Sequence, residues 1–151
     1  MSWRAITADD VHASMQKHEA DLYESQLLVD GQSDPMDEVI AQVTLEARQA
    51  IRSCRDNGAL HPTASFLPPG VIHHAVALIR HRLQTRVSDH YEPGEGRMAE
   101  YRTATQFFRD VASCKVAIER YGADEDDRSP AVMPQVSARP RRFTRSKQDG
   151  V

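Results

Sequence analysis

One stretch constrains the fold of this chain more than any other: Asp34–Cys54, DPMDEVIAQVTLEARQAIRSC. Asp34 is placed to accept hydrogen bonds from the unpaired N–H groups of a first helical turn. Pro35 suits the first helical position, and Asp37 and Glu38 complement the positive end of the helix dipole. Met36, Val39, Ile40, Val43, Ala47, Ala50, Ile51 and Cys54 recur at three- and four-residue steps and so form one stripe. Gln42, Glu46, Arg48, Gln49 and Arg52 point elsewhere. A helix of this length runs about 30 Å, and its apolar face demands a partner of similar length. Asp56-Asn57-Gly58 tolerates the left-handed backbone that ends a helix, and Pro62 forbids its continuation.

Two later segments can supply the cover. Arg55–Gly70 carries Gly58, Pro62, Pro68 and Pro69 with Leu60, Phe66 and Leu67 as isolated anchors, and reads as a structured loop rather than a strand. Pro68-Pro69-Gly70 then launches a helix from Val71 to about Asp89, with Val71, Ile72, Ala75, Val76, Ile79, Leu83 and Val87 facing inward. After a turn at Glu92–Gly96, a third long helix is predicted over Arg97–Tyr121, with Tyr101, Ala104, Phe108, Val111, Ala112, Ile118 and Tyr121 inside and Gly122 as its stop. Near the start, Thr7 and Asp10 form a capping box in its Asp form. Val11, Met15 and Leu22 line a helix from Ala8 that breaks near Lys17–Glu19, and Asp30-Gly31-Gln32-Ser33 closes this region. No segment alternates with a period of two. The expectation is all-α: a small helical bundle with three long helices and a short N-terminal helical region over residues 1–122, followed by an extended C-terminal arm over 123–151. A length of 151 residues with 40% apolar content suits one modest domain.

The arm differs chemically from the body. An acidic knot, Asp124–Asp127, precedes a proline-punctuated stretch that cannot build a core. From Arg128 onward, Arg128, Arg139, Arg141, Arg142, Arg145 and Lys147 stand against Asp149, a local charge of about +5, so about −8 falls on the remainder of a chain whose net charge is −3. Val132, Met133, Val136 and Phe143 are spaced as anchors for another surface. Arg139, Arg141, Arg142 and Arg145 can grip phosphates, or pair with carboxylates on a protein partner. These eight residues are the expected partner-binding site.

Enzymatic patterns are missing: no P-loop, GxGxxG or GxSxG, no HExxH, and no CxxC. His73 and His74 diverge around their helix, and His74 and His81 lie two turns apart, so no metal site is expected of the histidines. The Asp124–Asp127 run lacks the alternating ligands of an EF-hand. Neither a catalytic residue, a cofactor nor a metal is expected. Cys54 and Cys114, without a pairing pattern, read as free buried thiols in a reducing compartment. No apolar run is long enough to span a membrane, and the polar start MSWRAITADD is unlike a signal peptide, which points to a cytosolic origin.

The order of features resembles the head–tail connector, or adaptor, proteins of tailed bacteriophages, in particular the Mu-like prophage head-completion family. Ile6-Thr7-Ala8-Asp9-Asp10-Val11 is similar to that family's first short helix, and the helix containing Ala47, Ala50 and Ile51 to its long helix. Leu67-Pro68-Pro69 is similar to the segment before the next helix, and Glu100–Ala112 to the fourth helix. Arg142-Phe143-Thr144-Arg145 is similar to the closing motif. The chain departs from the pattern at Ser113-Cys114, where a glycine usually follows the fourth-helix alanine. The resemblance implies a non-enzymatic virion protein, assembled in the host cytoplasm, that forms a ring, commonly dodecameric, beneath the capsid portal. DNA would pass through the lumen without sequence-specific contacts. The C-terminal arm would dock on the portal protein or a neighbouring subunit, and further connector or tail proteins would follow. An alternative from the residues alone is a small helical nucleic-acid-binding regulator that contacts DNA through its basic arm.

Overall fold

The computed structural model describes residues 2–27, 33–87 and 92–122. Among them the elements run β1 (Arg4–Ala5), α1 (Ala8–Ser14), α2 (Lys17–Leu27), α3 (Met36–Ser53), a 3₁₀ turn (Arg55–Asn57), β2 (Phe66–Leu67), α4 (Pro69–Val87) and α5 (Glu95–Ala112). The body is thus all-α, with one small ribbon.

The expected long helices are present with shifted starts: α4 begins at Pro69 instead of Val71, α5 at Glu95 instead of Arg97, and Pro35 is the cap of α3 instead of its first residue. Thr7 caps α1 in a reciprocal box: its hydroxyl accepts from the Asp10 N–H at 3.3 Å, while Asp10 Oδ2 accepts from the Thr7 N–H at 2.9 Å. Arg4 adds a fork onto the same carboxylate at 2.7 and 3.0 Å and, together with the Thr7 donors, holds Asp10 well below the usual carboxylate range. The expected break is present but falls at Met15–Gln16, just before Lys17–Glu19, which form the first turn of α2; Gln16 N–H donates to Glu19 there. At α3, Asp34 Oδ1 accepts from the Met36 N–H at 2.8 Å and also from the buried Tyr23 hydroxyl. Burial and that carboxylate together push the Tyr23 phenol up.

α3 buries one face through Met36, Val39, Val43, Thr44, Ala47 and Ile51. α4 lies between α3, α5 and the α1–α2 pair and is buried nearly all round: Val71, Ile72, Ala75, Val76, Ala77, Leu78, Ile79, Arg80, Leu83 and Gln84. α5 closes the bundle with buried Ala104 and Val111 and half-buried Tyr101, Phe107 and Phe108.

Two expectations are corrected here. The 55–70 loop contains a strand: β2 pairs antiparallel with β1, Arg4 opposite Leu67 and Ala5 opposite Phe66. Two residues per strand are too few to show alternation, and the pairing is non-local. The third long helix ends at Ala112 instead of reaching Tyr121. Cys114 adopts φ +61°, and the N–H groups of Cys114 and Lys115 turn back onto the carbonyls of Val111 and Asp110. This is a left-handed helix stop at a position where glycine is the usual occupant. Ile118 still packs against the core, but Tyr121 is 41% exposed.

Candidate functional site

Val132, Met133, Val136, Arg139, Arg141, Arg142, Phe143 and Arg145, expected to bind a partner, lie outside the described residues, as does the Asp124–Asp127 run. What the structure describes is the point from which that basic end departs, and the surfaces around it.

The departing segment, residues 113–122, is fastened to the body at four places. Cys114 is joined to Cys54 by a disulfide, with Cα atoms 5.3 Å apart across a sequence separation of 60. The Glu119 carboxylate accepts from the Gly70 N–H at 3.3 Å, at the first turn of α4. Arg120 Nε donates to the Asp56 carbonyl at 3.1 Å, its stem lying over Gly58, which takes φ +75° to end the 3₁₀ turn. Tyr121 meets His61 edge-on at 4.5 Å and Trp3 at 6.0 Å, while His61 stacks on Phe66 at 4.6 Å. The reading of both cysteines as free thiols is therefore wrong. The signal was weak because 60 residues separate the partners. Cys54 ends α3, and the helix stop after α5 turns Cys114 back toward it. The same finding removes the support that free thiols lent to a reducing compartment.

On the outer side of α3 runs a largely apolar groove of about 390 Å³ lined by Ile6, Ile40, Ala41, Leu45 and Ala64, with Asp37, Thr44, Arg48 and Ser65 as its polar members. Arg48 builds its wall by donating to the carbonyls of His61, Thr63 and Phe66 at 2.8, 3.1 and 2.9 Å. Leu45, 59% exposed, projects beside it. Sequence reasoning counted Leu45 neither as core nor as a contact, although an exposed leucine on an otherwise polar helix face was a usable sign.

A polar knot ties the opposite part of the bundle. Arg97 donates to Glu19 at 2.9 and 2.8 Å and to Glu100 at 3.0 Å; Arg80 bonds Glu100 and, at 2.9 Å, the Ser14 carbonyl. Burial on its own would raise the Glu19 carboxyl. The donors from Gln16 and Arg97 outweigh it and hold the group below its ordinary value. The knot joins α1, α2, α4 and α5 and has the character of a structural lock in which each charge is matched, although Glu19, Arg97 and Glu100 also line an open cavity of about 430 Å³. Two of the three histidines of α4 are packing groups, with His74 stacked on Phe107 and His81 on Tyr101, both at 3.9 Å, while His73 is exposed. Burial holds both imidazoles below their usual range, with His73 and Arg82 adding to the effect. Several basic side chains of the body are occupied internally: Arg4 with Asp10, Arg82 with Glu46 and Arg86 with Glu38. Among the described residues no helix is long and apolar enough to cross a membrane.

No family model, no curated protein and no solved structure matches this chain.

Proposed function

We propose that this protein is a structural component of a tailed-phage particle: a head–tail connector whose copies form a ring, dodecameric by the family resemblance, beneath the portal. The observation that carries the reading is the anchored exit. A small helical body holds residues 113–122 at four points and thereby fixes the place from which the basic, anchor-bearing end of the chain begins. A ring component that must grip a portal or a neighbour needs this combination. A rigid body sets the geometry of the ring, and a long end of opposite charge reaches the partner, where Val132, Met133, Val136 and Phe143 supply apolar contact and the arginines supply carboxylate pairing.

The charge distribution supports the same reading. A body near −4, joined by another −4 from the Asp124–Asp127 run, repels DNA phosphates and lets a genome slide through a lumen, while the basic stretch from Arg128 onward is drawn to acidic protein. The pairing of Arg4, Arg80, Arg82, Arg86 and Arg97 with carboxylates of the body reduces what the body offers a DNA-binding regulator, leaving exposed Arg52, Arg55, Arg102 and Arg109 in addition to the terminal arginines. In this reading the protein is not an enzyme, takes no membrane, and meets the portal on one side and further connector or tail proteins on the other.

Reconstruction of the native particle without imposed symmetry tests this directly. The expected result is a closed ring on the axis between head and tail, with Arg139–Arg145 lying against another protein chain. Particles with no such ring, or a terminal segment bound only to nucleic acid, would sink the proposal. Removal of Ala138–Val151 should abolish incorporation while the helical circular-dichroism signal of the isolated protein stays unchanged.

A further inference from the structure

The Cys54–Cys114 pair has a third neighbour. One carboxylate oxygen of Asp56 and the two sulfurs all lie within 4.8 Å of one another. Among the described residues that carboxylate makes no hydrogen bond or ion pair, although its backbone carbonyl is held by Arg120. The three positions are fixed by independent devices. Cys54 is buried at the end of α3. Asp56 sits on the 3₁₀ turn, pinned by Asn57 Nδ2 donating to the Ile51 carbonyl at 3.1 Å and by Gly58 at φ +75°. Cys114 occupies a left-handed helix stop at φ +61°, a conformation unfavourable for an L-residue and one that glycine would adopt freely. A cysteine kept where glycine fits better is held there by what its sulfur does.

We infer that, with the disulfide reduced, Cys54, Cys114 and Asp56 form a binding site for a thiophilic divalent cation of the zinc class. The reduction is a two-electron exchange with a dithiol. The S–S bond breaks, the two sulfurs leave as thiols, and the reductant closes its own disulfide. Binding of the metal then displaces one proton from each thiol. Two thiolates and one carboxylate supply three of four tetrahedral positions, at about 2.3 Å for sulfur and 2.0–2.2 Å for oxygen, and water takes the fourth. The two soft ligands select zinc, cadmium or cobalt over magnesium and calcium. Three anionic ligands around a dication leave one net negative charge, and the Arg120 guanidinium lies beside it. Disulfide and metal exclude each other, yet each ties residues 113–122 to the end of α3. The inference stands apart from the connector reading, since it uses only residues of the body.

The test uses the full-length chain, reduced with excess dithiol, freed of the reductant under anaerobic conditions, and titrated with Co²⁺. The expected result is thiolate-to-cobalt charge-transfer absorption that saturates at one metal per chain, disappears on addition of Zn²⁺, and is accompanied by proton release. The oxidised protein, folded but without thiols, should give none, and neither should Cys54→Ser or Cys114→Ser. Asp56→Asn should retain the band with affinity weakened about 10-fold or more. Reduced protein that is folded by circular dichroism but develops no band at stoichiometric metal would overturn the site. Equal metal affinity in either serine variant, or in Asp56→Asn, would do the same to the three-ligand assignment.

Discussion

α3 and α4 solve the same burial problem in different ways. α4 is wrapped by the other helices, so apolar packing holds it on nearly every side, and even Arg80 and Gln84 are buried along it. α3 has one covered face and one in water. It is held by its stripe and by separate attachments: Tyr23 on Asp34 at its start, Arg86 and Arg82 on Glu38 and Glu46 along its length, Arg48 on the 61–66 loop, and the disulfide at its end. A wrapped helix fails only with the whole core, whereas a one-faced helix can be loosened one attachment at a time. Packing energy at α4 is therefore shared, and at α3 it is divisible.

The largest effect on this contrast is expected from the disulfide. Its removal by Cys54→Ala frees a loop of 60 residues in the unfolded chain, which by chain entropy amounts to about 4 kcal/mol, read as a fall in the urea midpoint of the oxidised protein. Cys114→Gly loses the same tie but relieves the left-handed backbone, so it should remain about 1 kcal/mol more stable than Cys54→Ala. Equal midpoints would show that the φ of Cys114 carries no cost. Next comes Leu83→Ala on α4, fully buried, with an expected loss of about 2–5 kcal/mol. A loss under about 1 kcal/mol would break the picture of α4 as the shared core.

Acid comes third. Glu19 and Glu100 are held below their ordinary value of 4.5 in the folded protein, so the unfolded chain binds more protons below that value. Their contribution is complete above about pH 4.5 and is lost as pH falls through the depressed folded values. Melting temperature should thus hold on the neutral side and drop on the acid side, and Arg97→Gln should shrink that drop; an unchanged acid limb would remove the knot from the account. The smallest effect belongs to Leu45→Ala, on the open face of α3, with a stability change within about 0.5 kcal/mol. If the groove it borders is used in assembly, that same variant lowers incorporation into particles without lowering the melting temperature.

The one-faced helix was also the legible one. A stripe stands out only against a polar face, so Asp34–Cys54 could be read almost to the residue, and the Thr7–Asp10 box by its chemistry. α4 was found through its proline start and inner positions, but Ala77, Leu78, Arg80 and Gln84 looked external because periodicity assigns a helix one inside. The ribbon and the disulfide depend on contacts between segments far apart in sequence, and the Tyr23–Asp34 bond on a contact between α2 and the start of α3, none of which a local pattern encodes. The overlong third helix shows the same limit: Ile118 keeps helical spacing from Val111 and does pack on the core, yet it does so from a segment that the turn at Cys114 has taken out of the helix. Of the candidate site, the basic end could be read from composition alone, while the fastening at its start could not.

The cross-link also decides how the molecule carries a pull. Tension arriving along the chain from beyond Gly122 reaches Cys114 and crosses directly to Cys54, so α3 bears it and α4 and α5 are bypassed. The chain between the two cysteines, a sequence separation of 60 and about 200 Å of contour at full extension, is withheld from the load path. A body fastened in this way can be tugged by its end without being unravelled from that end.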